Sequence, residues 1–237
     1  MEVCTADTIA RALELGAKEK IPASMPQLLE QLVKSGWHGG QYTTLSEEIS
    51  GHGTFRNETN DWVITTHGEG WFTSLSDGPK RIREAVKKKL TRYRGGKVTK
   101  KVFNGMLNGS LEIPIFTYDE FLEESDDDHF LRNYSMFSVV RTLEQARLTH
   151  SNFHHINSLE NDSQVIVYAG GKERARRYLD STTRLNGENK IGVWNPFNGK
   201  KFSTKQAQGH ILFVGDYIFG LIGDLSLEYF GKFVSIS

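Results

Sequence analysis

Residues 211–236 read ILFVGDYIFGLIGDLSLEYFGKFVSI. Short apolar runs alternate here with glycine and aspartate, a pattern that predicts short strands separated by turns. The predicted strands are residues 211–214, 217–222, 226–230 and 232–236. Because strands that follow each other so closely along a chain pair antiparallel, this part of the sequence predicts a mainly antiparallel sheet.

Turn signals extend the β-rich part upstream. The dipeptides Asn186-Gly187 and Asn198-Gly199 have residues that favour β-strands on both sides, which is typical of hairpins. Residues 164–169 are mostly apolar and predict a buried strand. The second half of the chain is therefore expected to be mostly β.

The first half of the chain instead shows helical spacing of apolar residues. The predicted helices are residues 8–15, 24–36 and 79–94, with a shorter one at 45–49. We therefore expect an α+β fold, in which a helix-rich N-terminal half packs on a mainly antiparallel C-terminal β-sheet. One globular domain is expected to span residues 1–237, with a candidate sub-domain boundary near 150–162.

The bulk composition points to a cytoplasmic protein. The single cysteine, Cys4, cannot form an internal disulfide, which is typical of a reducing compartment. Residues 1–16 contain charges where a signal peptide would have an apolar core. Residues 211–225 are too short and too interrupted to span a bilayer, so no membrane partner is expected.

The net charge is zero, with 29 basic and 29 acidic residues, but the charges are segregated. Residues 80–101 contain eleven Lys or Arg and one acid, Glu84, whereas residues 119–128 contain seven acids and no base. The basic run falls on the predicted amphipathic helix 79–94, whose apolar stripe would face the core. Its cations would then face solvent, where a polyanion relieves their mutual repulsion.

This pattern predicts a nucleic-acid-binding surface that tracks phosphates, with DNA and RNA both open. The predicted contact residues are Lys80, Arg81, Arg83, Lys87, Lys88, Arg94, Lys97, Lys100, Lys101, Lys172 and Arg176. Two alternatives stay open. In the first, the acidic run 119–128 neutralises the basic helix within the molecule. In the second, the helix binds a membrane surface, although its apolar stripe lacks the exposed aromatic residues that insert into a membrane.

Glu188 and Lys190 are the candidate catalytic residues. Glu-x-Lys on a strand after a turn is typical of restriction-type nucleases, in which carboxylates hold Mg²⁺ and a lysine polarises water. The partner carboxylate would be Asp180 on the preceding strand, but in a two-residue hairpin it faces the opposite side. Mg²⁺ is the cofactor expected for a nuclease, and the remaining metal ligands stay unknown.

Weaker constellations are His67 with Glu69 for acid–base work, and the spacing of Glu144 and Arg147, which is found in enzymes that remove adenine. The leading hypothesis is a nucleic-acid-binding protein, either a DNA-cleaving or a base-removing enzyme of the restriction or defence kind. The alternatives are a non-enzymatic protein that packages or sequesters nucleic acid, and an effector whose basic helix docks an acidic protein. An unpaired strand edge would favour a homodimer.

Overall fold

The computed structural model describes residues 2–6, 8–18, 21–35, 40–88, 95–147, 151–186, 189–197, 204–215, 220–222, 227 and 231–235. The strands are β1 (Glu2–Ala6), β2 (Tyr42–Phe55), β3 (Glu58–His67), β4 (Gly96–Lys97), β5 (Ile115–Thr117), β6 (Phe137–Thr142), β7 (Asn152–His155), β8 (Lys190–Trp194), β9 (Gln208–Val214), β10 (Leu221–Ile222) and β11 (Gly231–Ser235). The α-helices are α1 (Ile9–Gly16), α2 (Met25–Ser35), α3 (Gly78–Lys87), α4 (Lys100–Leu107), α5 (Tyr118–Ser125), α6 (Phe130–Asn133), α7 (Leu143–Ala146), α8 (Ser163–Ala169) and α9 (Lys172–Asn186).

A long hairpin, β2 and β3, forms the centre of the sheet. Its two strands pair antiparallel from Ser46 opposite His67 to Phe55 opposite Glu58. The turn residues Arg56 and Asn57 have φ angles of 47° and 71°, as a two-residue type I′ turn requires. The strand order is β5-β6-β3-β2-β9-β10-β8-β7, with β11 also beside β2, β1 beside β11 and β4 beside β9. The sheet is mixed, because β5–β6, β8–β10 and β2–β11 are parallel pairs.

Helices cover both faces of this sheet. In β9, Ile211 and Phe213 belong to a core cluster with α1, α3 and α4, whereas Leu212 and Val214 belong to a cluster with α2, α8 and α9. Since side chains alternate along a strand, the two clusters lie on opposite faces. Polar side chains in the covered part of the central strands, such as Glu47, Glu48 and His67, are therefore removed from water.

The α+β class predicted from the sequence is confirmed. The sheet draws strands from both halves of the chain, and β2 and β3 of the N-terminal half form its central hairpin. None of the helices in the described part of the chain is long and apolar enough to cross a membrane. The cytoplasmic location, the single domain and the homodimer stay predictions.

Two predictions of local structure are wrong. Residues 45–49 lie in β2 rather than in a helix. Residues 164–169 lie in α8 rather than in a strand, because Asp162 caps that helix and accepts from the Val165 N–H at 2.9 Å. Gly170 ends α8 with a φ of 79°. Every residue of α8 is buried, so no polar face reveals its helical period.

The hairpin predicted at Asn186-Gly187 is also wrong, because α9 continues to Asn186. Gly187 lies outside the described residues, as does the second predicted turn at residues 198–199. Of the C-terminal strands, residues 211–214 lie within β9 and residues 232–235 within β11.

Candidate functional site

A charged network is buried in the sheet beneath α8. The Arg141 guanidinium on β6 donates to Glu48 Oε1 on β2 at 2.5 Å, and neither side chain is exposed. Thr65 Oγ1 donates to the same carboxylate at 2.8 Å, and Tyr168 Oη donates to Glu48 Oε2 at 2.9 Å. Burial raises the pKa of Glu48, and the charge of Arg141 limits that rise. The network is sealed from solvent, so it holds strands and helix together rather than meeting a ligand.

The neighbouring carboxylate, Glu47, holds the loop that precedes α3. Its oxygens accept from the backbone N–H groups of Trp71 and Phe72 at 2.5 Å each, and of Thr73 at 3.1 Å. Burial raises the pKa of Glu47 to about 7, although the three donors oppose the rise. An added Cβ at Gly70 would overlap the carboxylate, so the loop can approach it only with glycine there.

His67 and Glu69 do not form an acid–base pair. His67 is buried in β3, where Nδ1 lies 2.9 Å from Ser46 Oγ and Nε2 lies 3.0 Å from the Val167 carbonyl oxygen. Burial lowers the pKa of His67 to about 3. Glu69 accepts from the Leu75 N–H at 3.0 Å. The two side chains therefore have separate structural partners.

The predicted basic residues on α3 differ in their contacts. Arg81 donates to the Trp71 carbonyl oxygen at 2.8 Å and to Asp77 at 2.9 Å, and its guanidinium stacks 3.6 Å from the centroid of the Trp71 ring. Arg83 forms a salt bridge with Glu14. The remaining predicted residues on α3, Lys80 and Lys87, are exposed, and Arg94 lies outside the described residues.

Other predicted cations lie elsewhere on the molecule. Lys172 is exposed at the start of α9, and Arg176 pairs with Glu173 at 3.0 Å. Lys101 lines one cleft with Arg81 and Trp71. A different cleft contains Lys88, Lys97 and Lys100. The structure thus groups Lys88, Lys97 and Lys100 in one cleft and Arg81 and Lys101 in another.

The acidic run 119–128 does not neutralise α3 in the described contacts. Glu120 binds Arg56 with hydrogen bonds of 2.5 and 2.8 Å. Asp128 lies 3.8 Å from Arg177 of α9. The buried Arg174 donates to the backbone carbonyls of Asp127 and Asp128 at 3.4 and 3.1 Å.

Two of the three residues of the predicted nuclease site lie in the part of the chain that the structure describes. Lys190 is exposed at the start of β8, and Asp180 lies on helix α9 rather than on a preceding strand. Glu188 lies outside the described residues. Within the described ranges, no group of three His, Cys, Asp or Glu side chains is placed to hold a metal ion.

One exposed face of β7 and β8 carries aromatic and basic side chains. The register places Phe153 opposite Gly192 and His155 opposite Lys190, so alternation puts these residues and Trp194 on the same face. The ring of Phe153, which is 39% exposed, meets Trp194 edge-on at 5.4 Å. We call Phe153, His155, Lys190 and Trp194 the β7–β8 surface.

The Trp194 ring is positioned by glycines. An added Cβ at Gly192 or at Gly220 would overlap it, so the ring lies against Gly192 of β8 and against Gly220, the residue before β10. The following Asn195 is held by Ser151, whose Oγ donates to the Asn195 carbonyl oxygen at 2.9 Å. The Gly-x-Trp spacing of residues 192–194 is a sequence signal for this surface, but it does not indicate the face that forms when β7 pairs with β8.

The sequence matches no protein-family model and no curated protein sequence. The fold resembles a solved structure from Nanoarchaeota described as "Accommodation of massive sequence variation in Nanoarchaeota by the C-type lectin fold". The TM-score is 0.73 at 22% sequence identity, and the match covers 100% of this chain and 97% of that chain. The chain therefore has the C-type lectin fold.

This finding corrects the functional prediction. A C-type lectin fold contradicts the expected nuclease, base-removing or nucleic-acid-binding protein, so that prediction and its packaging alternative were wrong. The alternative of an effector whose basic helix docks an acidic protein stays a prediction. The basic run suggested a nucleic-acid-binding surface because a sequence does not reveal which cations form ion pairs within the folded molecule. Arg81 and Arg83, which the periodicity placed toward solvent, have partners within the molecule.

Proposed function

We propose that this chain is a binding protein in which the C-type lectin fold is a rigid scaffold and the β7–β8 surface contacts the ligand. One observation carries the proposal: the residues of this surface lie apart from the buried contacts that stabilise the fold. The Glu48–Arg141 pair is fully buried, whereas Phe153, His155 and Lys190 are exposed on a different part of the sheet.

Such a separation lets the exposed residues change without loss of the fold. Substitutions at exposed positions alter stability by about 0.5 kcal/mol or less, whereas breaking a buried ion pair costs several kcal/mol. The related Nanoarchaeota structure is described as accommodating massive sequence variation. We propose that this chain also tolerates sequence variation, and that substitutions in the β7–β8 surface change which ligand it binds.

The composition of the surface suits a binding role. Phe153 and Trp194 offer large apolar area with few rotatable bonds, and such side chains dominate the energetics of binding interfaces. His155 and Lys190 add hydrogen-bond donors beside them. The Trp194 ring packs on Gly192 and contacts the Phe153 ring, so these two side chains lose little conformational entropy when a ligand is bound.

Two displayed libraries would test the proposal. One randomises Phe153, His155 and Lys190, and its matched control randomises three buried positions on one face of the sheet, Glu48, Thr65 and Arg141. We expect at least about tenfold more members of the surface library to stay resistant to protease, because exposed positions tolerate change. Surface-library members should also yield binders to a biotinylated oligosaccharide or a biotinylated test protein.

Equal loss of protease resistance in both libraries would contradict the proposal, because the surface would then be needed for folding. A surface library that folds but never yields a binder would show a tolerant scaffold without a binding face.

A further inference from the structure

A cleft between the start of α4 and the segment before β9 is lined by the lysines Lys88, Lys97, Lys100 and Lys205. We call it the lysine cleft. Its volume of about 680 Å³ lies in the range of small-molecule sites. The other residues that line it are His52, Val98, Thr99, Thr204, Gln206 and Ala207.

Hydrogen bonds hold the two sides of the lysine cleft together. The Val98 N–H donates to the Ala207 carbonyl oxygen at 2.9 Å, and Gln206 Nε2 donates to the Val98 carbonyl oxygen at 2.7 Å. Lys97 lies on β4, opposite Gln208 of β9. The backbone at Lys97 is therefore fixed before any ligand arrives, which lowers the entropy cost of binding there.

In the lysine cleft, three of the four lysines lack a carboxylate partner among the described residues. Its lining, as far as the structure describes it, includes no carboxylate, and Lys88, Lys97 and Lys100 form no ion pair with the described residues. His52, which also lines the cleft, has its own partner in Asp61 at 2.9 Å. Lys100 is moreover the first residue of α4, where the helix dipole is positive. A bound anion would reduce the electrostatic repulsion between the ammonium groups of Lys88, Lys97 and Lys100.

We propose that the lysine cleft binds the oligophosphate group of a small molecule. Each lysine ammonium is a compact charge with three donors, which suits the oxygens of phosphate. Linked phosphates can contact several lysines of the cleft at the same time, whereas a single phosphate contacts fewer of them. The proposal is independent of the β7–β8 surface, because the cleft is formed by β4, α4 and the segment before β9.

Calorimetric titration of the full chain would test this. The probes are sodium tripolyphosphate, adenosine triphosphate and inorganic monophosphate, at about 50 and 200 mM salt, since screening weakens exposed ionic contacts. We expect tripolyphosphate to bind at least about tenfold tighter than monophosphate and to weaken with salt. Higher affinity for adenosine triphosphate than for tripolyphosphate would indicate that the ligand is a nucleotide. Higher affinity for tripolyphosphate would indicate a free oligophosphate.

The variant Lys97→Gln/Lys100→Gln should weaken tripolyphosphate binding at least about tenfold. Its matched control is Lys80→Gln/Lys172→Gln, which removes the same charge from exposed positions outside the cleft and should leave binding unchanged. Equal weakening in both variants would overturn the proposal, because only net charge would matter. Absence of oligophosphate binding to the unmodified chain, or equal affinity for monophosphate, would overturn it too.

Discussion

Glu48 and Arg141 form a salt bridge of 2.5 Å in which both side chains are completely buried. The two residues lie 93 positions apart in the chain, on strands β2 and β6, with β3 between them in the sheet. Tyr168 and Thr65 also donate to the carboxylate, so its oxygens are satisfied without water. Three strands and helix α8 therefore meet at one buried charge pair.

We expect Arg141→Met to lower the free energy of unfolding by about 3–5 kcal/mol, because it leaves the Glu48 carboxylate buried without its counter-ion. Urea denaturation would measure the loss. The double variant Glu48→Leu/Arg141→Met should be less destabilised than Arg141→Met alone, since no unpaired charge remains.

The matched control is the exposed pair of Arg56 and Glu120, whose side chains are 51% and 41% accessible. Arg56→Met should change the free energy of unfolding by only about 0–1 kcal/mol. A similar effect of Arg56→Met and Arg141→Met would show that burial of the Glu48–Arg141 pair does not determine its contribution.

Glu47 predicts a pH dependence of stability. Its pKa rises from 4.5 in the unfolded chain to about 7 in the folded one, so between these values the folded protein binds the extra proton. Stability contributed by this group is therefore fully present below pH 4.5 and decreases as the pH rises to 7, by about 3 kcal/mol in total. Glu47→Gln should remove this decrease.

Thermal unfolding of both proteins from pH 4.5 to 8 would measure the effect as the difference between them, in which the other titrating groups cancel. A difference in the free energy of unfolding that stays constant over this range would show that Glu47 is ionised in the folded state throughout.

Gly192→Ala should displace the Trp194 ring from the β7–β8 surface, because the new Cβ would overlap it. Overpacking of this kind costs about 1–3 kcal/mol of stability. The tryptophan emission should shift to longer wavelength as the ring enters water. Gly109→Ala is the control: an added Cβ there meets nothing within 4 Å, and only its φ of 88° is strained. An unshifted spectrum in Gly192→Ala would contradict the described packing.

Local signals in the sequence predicted some elements well. Pro79 in the first turn and the recurrence of Ile82 and Val86 predicted a helix, and α3 spans Gly78–Lys87. The apolar residues 211–214 predicted a strand that lies within β9. These features depend on neighbours in the chain, so a single sequence contains them.

The buried charges could not be predicted in this way. Glu47 and Glu48 were predicted to lie in a short helix, because the groups that satisfy their carboxylates come from distant segments. Arg141 and Tyr168 lie 93 and 120 positions away from Glu48. The β7–β8 surface has the same origin, since its face exists only once β7 and β8 pair.

The Glu48–Arg141–Tyr168 network also constrains the order of events during synthesis. Glu48 leaves the ribosome long before Arg141, and Tyr168 follows later still. A nascent chain that ends before α8 contains Glu48, Thr65 and Arg141 but lacks the Tyr168 hydroxyl that donates to the carboxylate. Strand β9, which lies beside β2 in the sheet, follows α8 in the chain. Because residues of β9 belong to both large core clusters, neither cluster can be completed until β9 has been synthesised, and apolar surface stays exposed until then.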